Sequence, residues 1–366
     1  MNILFLDQYS DPGGAQQILV ELLPAIREQG WQALVGLPGS GKLFDAVRAQ
    51  GVKIERIDCW TRSAGKFQFL PKTVQLANQI RKLIRQIDAN LVYLNGPRLV
   101  PAAALARPRC RVVFHSHSFL PEGPARAVTG LALQSLNARV VANCRFVADQ
   151  WKRFVHPERI NVIWNGVDGP ARLPEGRRNG PPTIGCIGRI SPEKGQREFA
   201  HVAARIHEAL PQVRFVIAGD AMFGNPAAQR YLEEVRTSAL GLPLEFRGWV
   251  HDVYTALAEF DLLLVPSVGP EATTRVILEA FAAAVPVIAF DTGGISEVIE
   301  NGVTGLLTKS VDEMARESVS LLSGDSRRRL SLASAAREAW KQRFTKGKFH
   351  RQLCAFLANA VEGRDA

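Results

Sequence analysis

Asn2-Ile-Leu-Phe-Leu6 is a short apolar run closed by Asp7. Gly13-Gly14 follows, and then residues 15–29, in which Ile18, Leu19, Leu22, Leu23 and Ile26 recur at helical spacing. Strand, glycine turn, amphipathic helix is the opening unit of a doubly wound α/β domain. A dinucleotide-binding dehydrogenase of that type would carry a full G-x-G-x-x-G after the first strand, and this stretch does not. No run approaches the roughly 18 uninterrupted apolar residues of a membrane span, and the first run meets Asp7 too soon for a signal peptide. The expectation is a cytoplasmic protein.

The same grammar continues along the chain. Residues 31–36, 52–57, 90–94, 111–114 and 139–142 read as further strands, separated by helices such as 72–87. Around Arg172-Leu-Pro-Glu-Gly-Arg-Arg-Asn-Gly-Pro-Pro182 the composition turns to Pro, Gly and charge, the clearest linker. A second series follows, with strands at 183–187, 213–218, 244–246, 262–265, 287–290 and 305–307 and closing helical segments at 311–342 and 348–361. With 366 residues and 46% hydrophobic content, the chain can build two cores. The reading is therefore α/β, with two Rossmann-like domains facing a central cleft. The first spans 1–170 with a return helix at 345–366, and the second spans 182–344.

Lys and Arg number 45 against 35 Asp and Glu, a net charge of +10, which favours anionic partners. Basic runs interleaved with aromatics are absent, so nucleic acid is not expected. A peripheral contact with an anionic membrane stays open, because Arg27, Lys82, Arg85, Arg145, Lys152 and Arg153 fall in expected helices of the first half. The five cysteines (Cys59, Cys110, Cys144, Cys186, Cys354) are scattered and never form C-x-x-C, which points to reduced thiols rather than a disulfide framework or zinc site.

Two stretches of the second half carry chemistry. Ile187-Gly188-Arg189-Ile190-Ser191-Pro192-Glu193-Lys194-Gly195 sets a guanidinium and an ammonium in the loop after a strand, a pair suited to a diphosphate. Pro270-Glu271-Ala272-Thr273-Thr274-Arg275-Val276-Ile277-Leu278-Glu279 follows the strand at 262–265. Glu271 is expected in the loop at the mouth of the cleft and Glu279 about two turns into the helix that follows, on a face turned about 80° from Glu271. This placement also leaves the N–H groups of Thr273, Thr274 and Arg275 as donors for phosphate oxygens. Alone, two acids on a helix would be an ordinary polar face.

Taken in order, Gly188-Arg189 through Lys194-Gly195, Phe246-Arg-Gly248-Trp-Val250 with Asp252, Asp261-Leu-Leu-Leu-Val-Pro266-Ser267, the glutamate pair, Pro286-Val-Ile, Gly293-Gly294-Ile-Ser-Glu297 and Asn301-Gly302-Val-Thr-Gly305 resemble a known motif series. It is that of the retaining glycosyltransferases of group 1, the GT-B family akin to glycogen synthase. Gly13-Gly14-Ala15, His115-Ser-His117, Asn143-Cys144 and Asn165-Gly166-Val167-Asp168 extend the resemblance more weakly into the first half.

The resemblance implies a hexosyltransferase that moves a sugar from a nucleoside diphosphate to a glycan or lipid-linked acceptor hydroxyl. It implies no cofactor and no metal. Arg189 and Lys194 match the cations on the donor diphosphate, Glu271 the carboxylate on the transferred sugar, and Glu279 the one on the nucleotide ribose. Gly13 and Gly14 match the glycine loop near the phosphates, and Val250, Thr273, Thr274 and Arg275 complete the donor set. The catalytic-site histidine matches His117, with His115 as the alternative, the two being taken as opposite faces at one strand end. Thr273 and Thr274 replace the usual aromatic and glycine, which bears on donor identity. A non-catalytic nucleotide-sugar-binding protein and another GT-B enzyme, a phosphorylase or an epimerase, are the competing readings.

Overall fold

The computed structural model describes residues 1–11, 13–59, 66–173, 180–221, 226–324 and 326–363. The chain divides into two compact units, Met1–Trp164 with Phe349–Ala366, and Asn165–Lys348. The division falls before the Pro- and Gly-rich stretch taken as the linker, of which 174–179 lie outside the described residues.

In the first unit seven parallel strands, β1 (Asn2–Asp7), β2 (Gln32–Leu37), β3 (Lys53–Arg56), β4 (Leu91–Asn95), β5 (Arg111–Ser116), β6 (Arg139–Ala142) and β7 (Ile160–Val162), lie in the order β3-β2-β1-β4-β5-β6-β7. β7 was not expected: it is three residues long at the sheet edge, with a polar centre and little burial. Alternate side chains of each strand face opposite layers. Leu4 and Leu6 of β1 pack with α3 (Phe69–Ile87), α4 (Val100–Ala106) and α5 (Pro124–Ser135). Ile3 and Phe5 pack with α1 (Gly14–Glu28) and α2 (Lys42–Ala49). The short α6 (Arg145–Asp149) follows β6. The last helix of the chain, Lys346–Glu362, joins the α1 side of this layer through Phe349, Leu353, Phe356 and Leu357.

In the second unit six parallel strands, β8 (Thr183–Ile187), β9 (Arg214–Ala218), β10 (Leu244–Gly248), β11 (Leu262–Val265), β12 (Val287–Phe290) and β13 (Leu306–Thr308), lie in the order β10-β9-β8-β11-β12-β13. The helices are α7 (Gln196–Ala209), α8 (Pro226–Ser238), α9 (Val253–Leu257), α10 (Arg275–Ala282), α11 (Val311–Ser323) and α12 (Ser326–Arg343), which makes the C-terminal helix α13. Strand β11 is Leu-Leu-Leu-Val because both of its faces are covered, and its three leucines are wholly buried. Each contributes roughly 1.5–3 kcal/mol by leaving water. Among the described residues no helix is long and apolar enough to cross a membrane.

Close packing in this layer yields a test. A Cβ on Gly185 of β8 would lie 1.9 Å from the ring of Phe260, which is itself buried. Gly185→Ala should cost roughly 1–3 kcal/mol of overpacking and lower Tm in calorimetry. An unchanged Tm would mean that the ring turns aside freely.

Candidate functional site

Ligands of doubly wound sheets bind beyond the carboxyl ends of the strands, where the strand order reverses direction. In the second unit that point lies between β8 and β11, and the two chemistry-bearing loops leave those two strands. Glycine backbones let the loops touch. Gly195 has φ +72° and a Cβ there would fall 1.8 Å from the carbonyl oxygen of Pro266. The N–H of Val268 donates to the carbonyl of Glu193 at 3.1 Å. Beyond β12, Gly293 has φ +58°, and a Cβ would lie 2.0 Å from the carbonyl oxygen of Glu271. The N–H of Gly294 donates to that same oxygen at 2.8 Å.

Glu271 stands in a loop as expected, whereas Glu279 lies about one turn into its helix rather than the expected two. α10 begins only at Arg275, with Thr274 as its N-cap. The physical reason is the Glu271 carbonyl: it accepts from Gly294 across the loop and so does not start the helical ladder. For the same reason Thr273 is not a first-turn donor.

The side chains then sort into three groups. Lys194 Nζ lies 2.7 Å from Glu271 Oε1 and donates to Thr274 Oγ1 at 3.3 Å, and that hydroxyl donates to Glu271 Oε2 at 3.1 Å. Threonine is a favoured N-cap. Here its hydroxyl bridges cation and carboxylate, and it makes no capping bond to α10. Arg275 Nε lies 2.8 Å from Glu279 Oε1, an (i, i+4) pair on α10. Arg189 Nη2 lies 2.6 Å from Glu193 Oε1 within its own exposed loop, where an ion pair adds little stability. Thr273 is buried and its hydroxyl has no hydrogen-bond partner among the described residues. Val250 sits half-buried two residues beyond β10.

In the first unit the strand order reverses between β1 and β4, whose last residues Asp7 and Asn95 are register partners. Asp7 is fully buried and accepts from Tyr9 N–H at 2.8 Å and from Gln16 Nε2 at 3.0 and 3.1 Å. Asn95 Nδ2 donates to Asp7 Oδ2 and to the carbonyl of Ala15. With its amide nitrogen committed to two acceptors, Asn95 turns Oδ1 to His117 Nε2, 2.6 Å away. The imidazole must therefore carry its proton on Nε2 and keep Nδ1 as an acceptor, and Nδ1 has no partner among the described residues. Burial lowers His117 to about 3, so the ring is neutral at ordinary pH. The same burial raises Asp7 to about 6.

The expectation that His115 and His117 occupy opposite faces is not met. Residues two apart share a face, and the rings lie together at 3.8 Å between centroids. His115 is wholly buried at the end of β5 and pairs with the Tyr93 hydroxyl, whereas His117 is past the strand and half-buried. Asn143, after β6, donates to the His117 carbonyl at 3.1 Å. Gly13 is the N-cap of α1, and a Cβ there would lie 2.8 Å from Gln16 Oε1, against the Asp7 group. Gly14 is already the first residue of α1 and not part of the preceding loop.

Sequence reading missed Asp7, Gln16, Asn95 and Asn143 as members of this group. A signal was present, since the apolar runs 2–6, 90–94 and 139–142 are followed at once by Asp7, Asn95 and Asn143.

Two parallel-sheet Rossmann-like domains, each with polar side chains gathered where its strand order reverses, match the GT-B class of glycosyltransferase structures. Residues 12–169 match the model for Glycosyltransferase Family 4 and residues 181–324 that for Glycosyl transferases group 1. Residues 181–324 are thus similar to the group 1 glycosyltransferases and residues 12–169 to the family 4 enzymes. HepE of Anabaena, solved in complex with UDP-glucose, is 27% identical with a TM-score of 0.81, covering 98% of this chain and 100% of its own. Alpha-maltose-1-phosphate synthase of Mycolicibacterium smegmatis is 30% identical over 218 residues, 52% of this chain and 54% of that protein. Lipopolysaccharide 1,2-N-acetylglucosaminetransferase of Salmonella typhimurium is 25% identical over 264 residues, 67% of this chain and 65% of that protein. The chain thus spans about half to two thirds of the length of these two curated relatives.

Two outcomes test the first-unit group. Imidazole 15N spectra should show His117 as the Nε2–H tautomer, and Asn95→Leu should abolish that preference; an Nδ1–H ring in the parent would refute the assignment. Asp7 has a folded pKa of about 6, above its ordinary 3.8, so its contribution favours the fold at low pH and is lost as pH rises through about 6. Relative to Asp7→Asn, the parent should lose on the order of 3 kcal/mol between pH 4 and 7 in urea unfolding. Parallel curves would contradict a buried ionised Asp7.

Proposed function

We propose that the protein is a retaining glycosyltransferase that moves a hexosyl group from a nucleoside-diphosphate sugar to a hydroxyl of a glycan or lipid-linked acceptor, without a metal. The observation that carries this reading is the Lys194–Thr274–Glu271 group, clasped by Gly293 and Gly294 at the switch point of the second sheet. An ammonium beside the N-terminal turn of α10 suits the growing charge of a departing diphosphate, which is electrostatic preorganisation rather than acid catalysis. Lys194, with Arg189 as the second cation, is assigned to that diphosphate.

Glu271 is assigned to hydroxyls of the transferred sugar, Glu279 to the ribose, and His117 Nδ1 to a sugar hydroxyl that can donate to it. Gly13, Gly14, Val250, Thr273 and Arg275 complete the expected donor set. The acceptor hydroxyl attacks from the face that the phosphate leaves and passes its proton to the departing phosphate oxygen, so no side chain need become covalently linked. A glycosyl-enzyme trapped on Glu271 would contradict this course. HepE, solved with UDP-glucose, makes uridine the first base to test.

The decisive experiment is a thermal-shift and calorimetric screen of UDP-, GDP- and ADP-hexoses against the parent, Lys194→Ala, Glu279→Ala and Gly293→Ala. One donor should stabilise the parent. Lys194→Ala should weaken its binding by roughly 10- to 100-fold, as for a lost charged hydrogen bond. Gly293→Ala should act similarly, because it forces the Glu271 backbone aside. Unaltered affinity in Lys194→Ala and Glu279→Ala would refute the site.

A further inference from the structure

The large apolar side chains that the first unit leaves exposed are concentrated on one of its two helical layers. Phe67, just before α3, is 98% exposed, Leu70 and Val74 of α3 are 65% and 45%, Leu105 of α4 is 43%, and Val128 and Leu131 of α5 are 43% and 58%. The core-facing residues of α3 are Thr73, Leu76, Ala77, Ile80 and Leu83. Leu70, Val74, Asn78 and Lys82 run at four-residue intervals along the other side, with Arg85 one turn further. The helix is thus apolar inward, and outward it passes from apolar at its start to basic at its end.

The helices of this layer carry charge of one sign, with carboxylates at their margins: Asp88 caps α3, Asp58 accepts from Gln75 and Gln79, and Glu122 precedes α5. Helices α3, α4 and α5 contain Lys72, Arg81, Lys82, Arg85 and Arg126 and no Asp or Glu. Arg81 is tied down by bonds to Asn78 and to the carbonyls of Leu105 and Ala106, and Arg126 pairs with Glu122. Lys82 and Arg85 line a shallow groove with Asn78 and Gln86. Of the other basic positions expected from the sequence, Arg27 donates to the carbonyl of Gln50 on the α1 side, and Lys152, next to Trp151 of the α3–α4–α5 core, pairs with Asp149.

We infer that the α3–α4–α5 layer is a docking face for an anionic phospholipid surface, with Leu70, Val74 and Leu131 entering the interface and Lys82 and Arg85 meeting lipid phosphates. The chemistry is that of an interfacial helix, in which apolar area and basic charge act together. A second copy of the chain fits poorly, because two such faces would set basic side chains against one another. Nucleic acid needs the charge but has no use for protruding leucines.

The test uses the full chain and two vesicle preparations, phosphatidylcholine alone and phosphatidylcholine mixed with an equal part of phosphatidylglycerol. It is run without nucleotide sugar, so it stands or falls apart from the donor assignment. Sedimentation should show binding to the mixed vesicles only, weakening with added salt. Lys82→Gln with Arg85→Gln should reduce the partition coefficient roughly 30-fold. Leu70→Ser with Leu131→Ser should reduce it at least about tenfold, with Tm and circular dichroism unchanged because these side chains are exposed. No binding to mixed vesicles, equal binding to both, or binding indifferent to the leucine pair would overturn the proposal. So would self-association of the parent that the same substitutions abolish.

Discussion

Everything at the second-unit site depends on backbone meeting backbone. The loops after β8, β11 and β12 approach so closely that a single Cβ at Gly195 or Gly293 would overlap a carbonyl of the neighbouring loop. That contact draws the Glu271 carbonyl out of the helix that follows and gives it to Gly294. The carboxylate of Glu271 is then held beside Lys194 by a main chain with little freedom to move, and Thr274 closes the group from the other side. Precision here comes from glycines that carry no chemistry of their own.

The first unit achieves a comparable end by different means. It commits a buried carboxylate, Asp7, whose ionisation burial opposes, and directs it at an amide that can serve only one way round. Asn95 passes that orientation to His117. A charge kept in the interior at a cost to folding is more readily understood as an orienting element than as a stabilising one.

The fold was legible because its information is local. Apolar runs such as Leu262-Leu-Leu-Val265 and helices with an apolar stripe announce themselves within a few residues, and their alternation implies parallel sheets. The sites were legible only in part. Lys194, Glu271 and Glu279 stood out through the order of the motifs around them. The register of β1 against β4 joins Asp7 to Asn95 across 88 residues, and no local pattern reports such a pairing. Glu279 was placed a turn too deep in its helix because periodicity cannot see the hydrogen bond from Gly294 that delays the helix start. Thr274 read only as a replacement bearing on donor identity, whereas its hydroxyl also bonds both members of the Lys194–Glu271 pair.

The Lys194–Glu271 pair has a consequence for how an anion is captured. An isolated ammonium in a half-buried loop would have to be stripped of water by its ligand, whereas this one already lies against a carboxylate. Under the proposed assignment, a phosphate that takes Lys194 would trade places with an oxygen of Glu271, a swap of partners in which the more highly charged anion has the advantage. The displaced carboxylate would be left with acceptors to offer, at the moment when hydroxyls of the arriving molecule need them. Under that assignment one pair of side chains would work as a coupled exchange, releasing one grip as it makes the other.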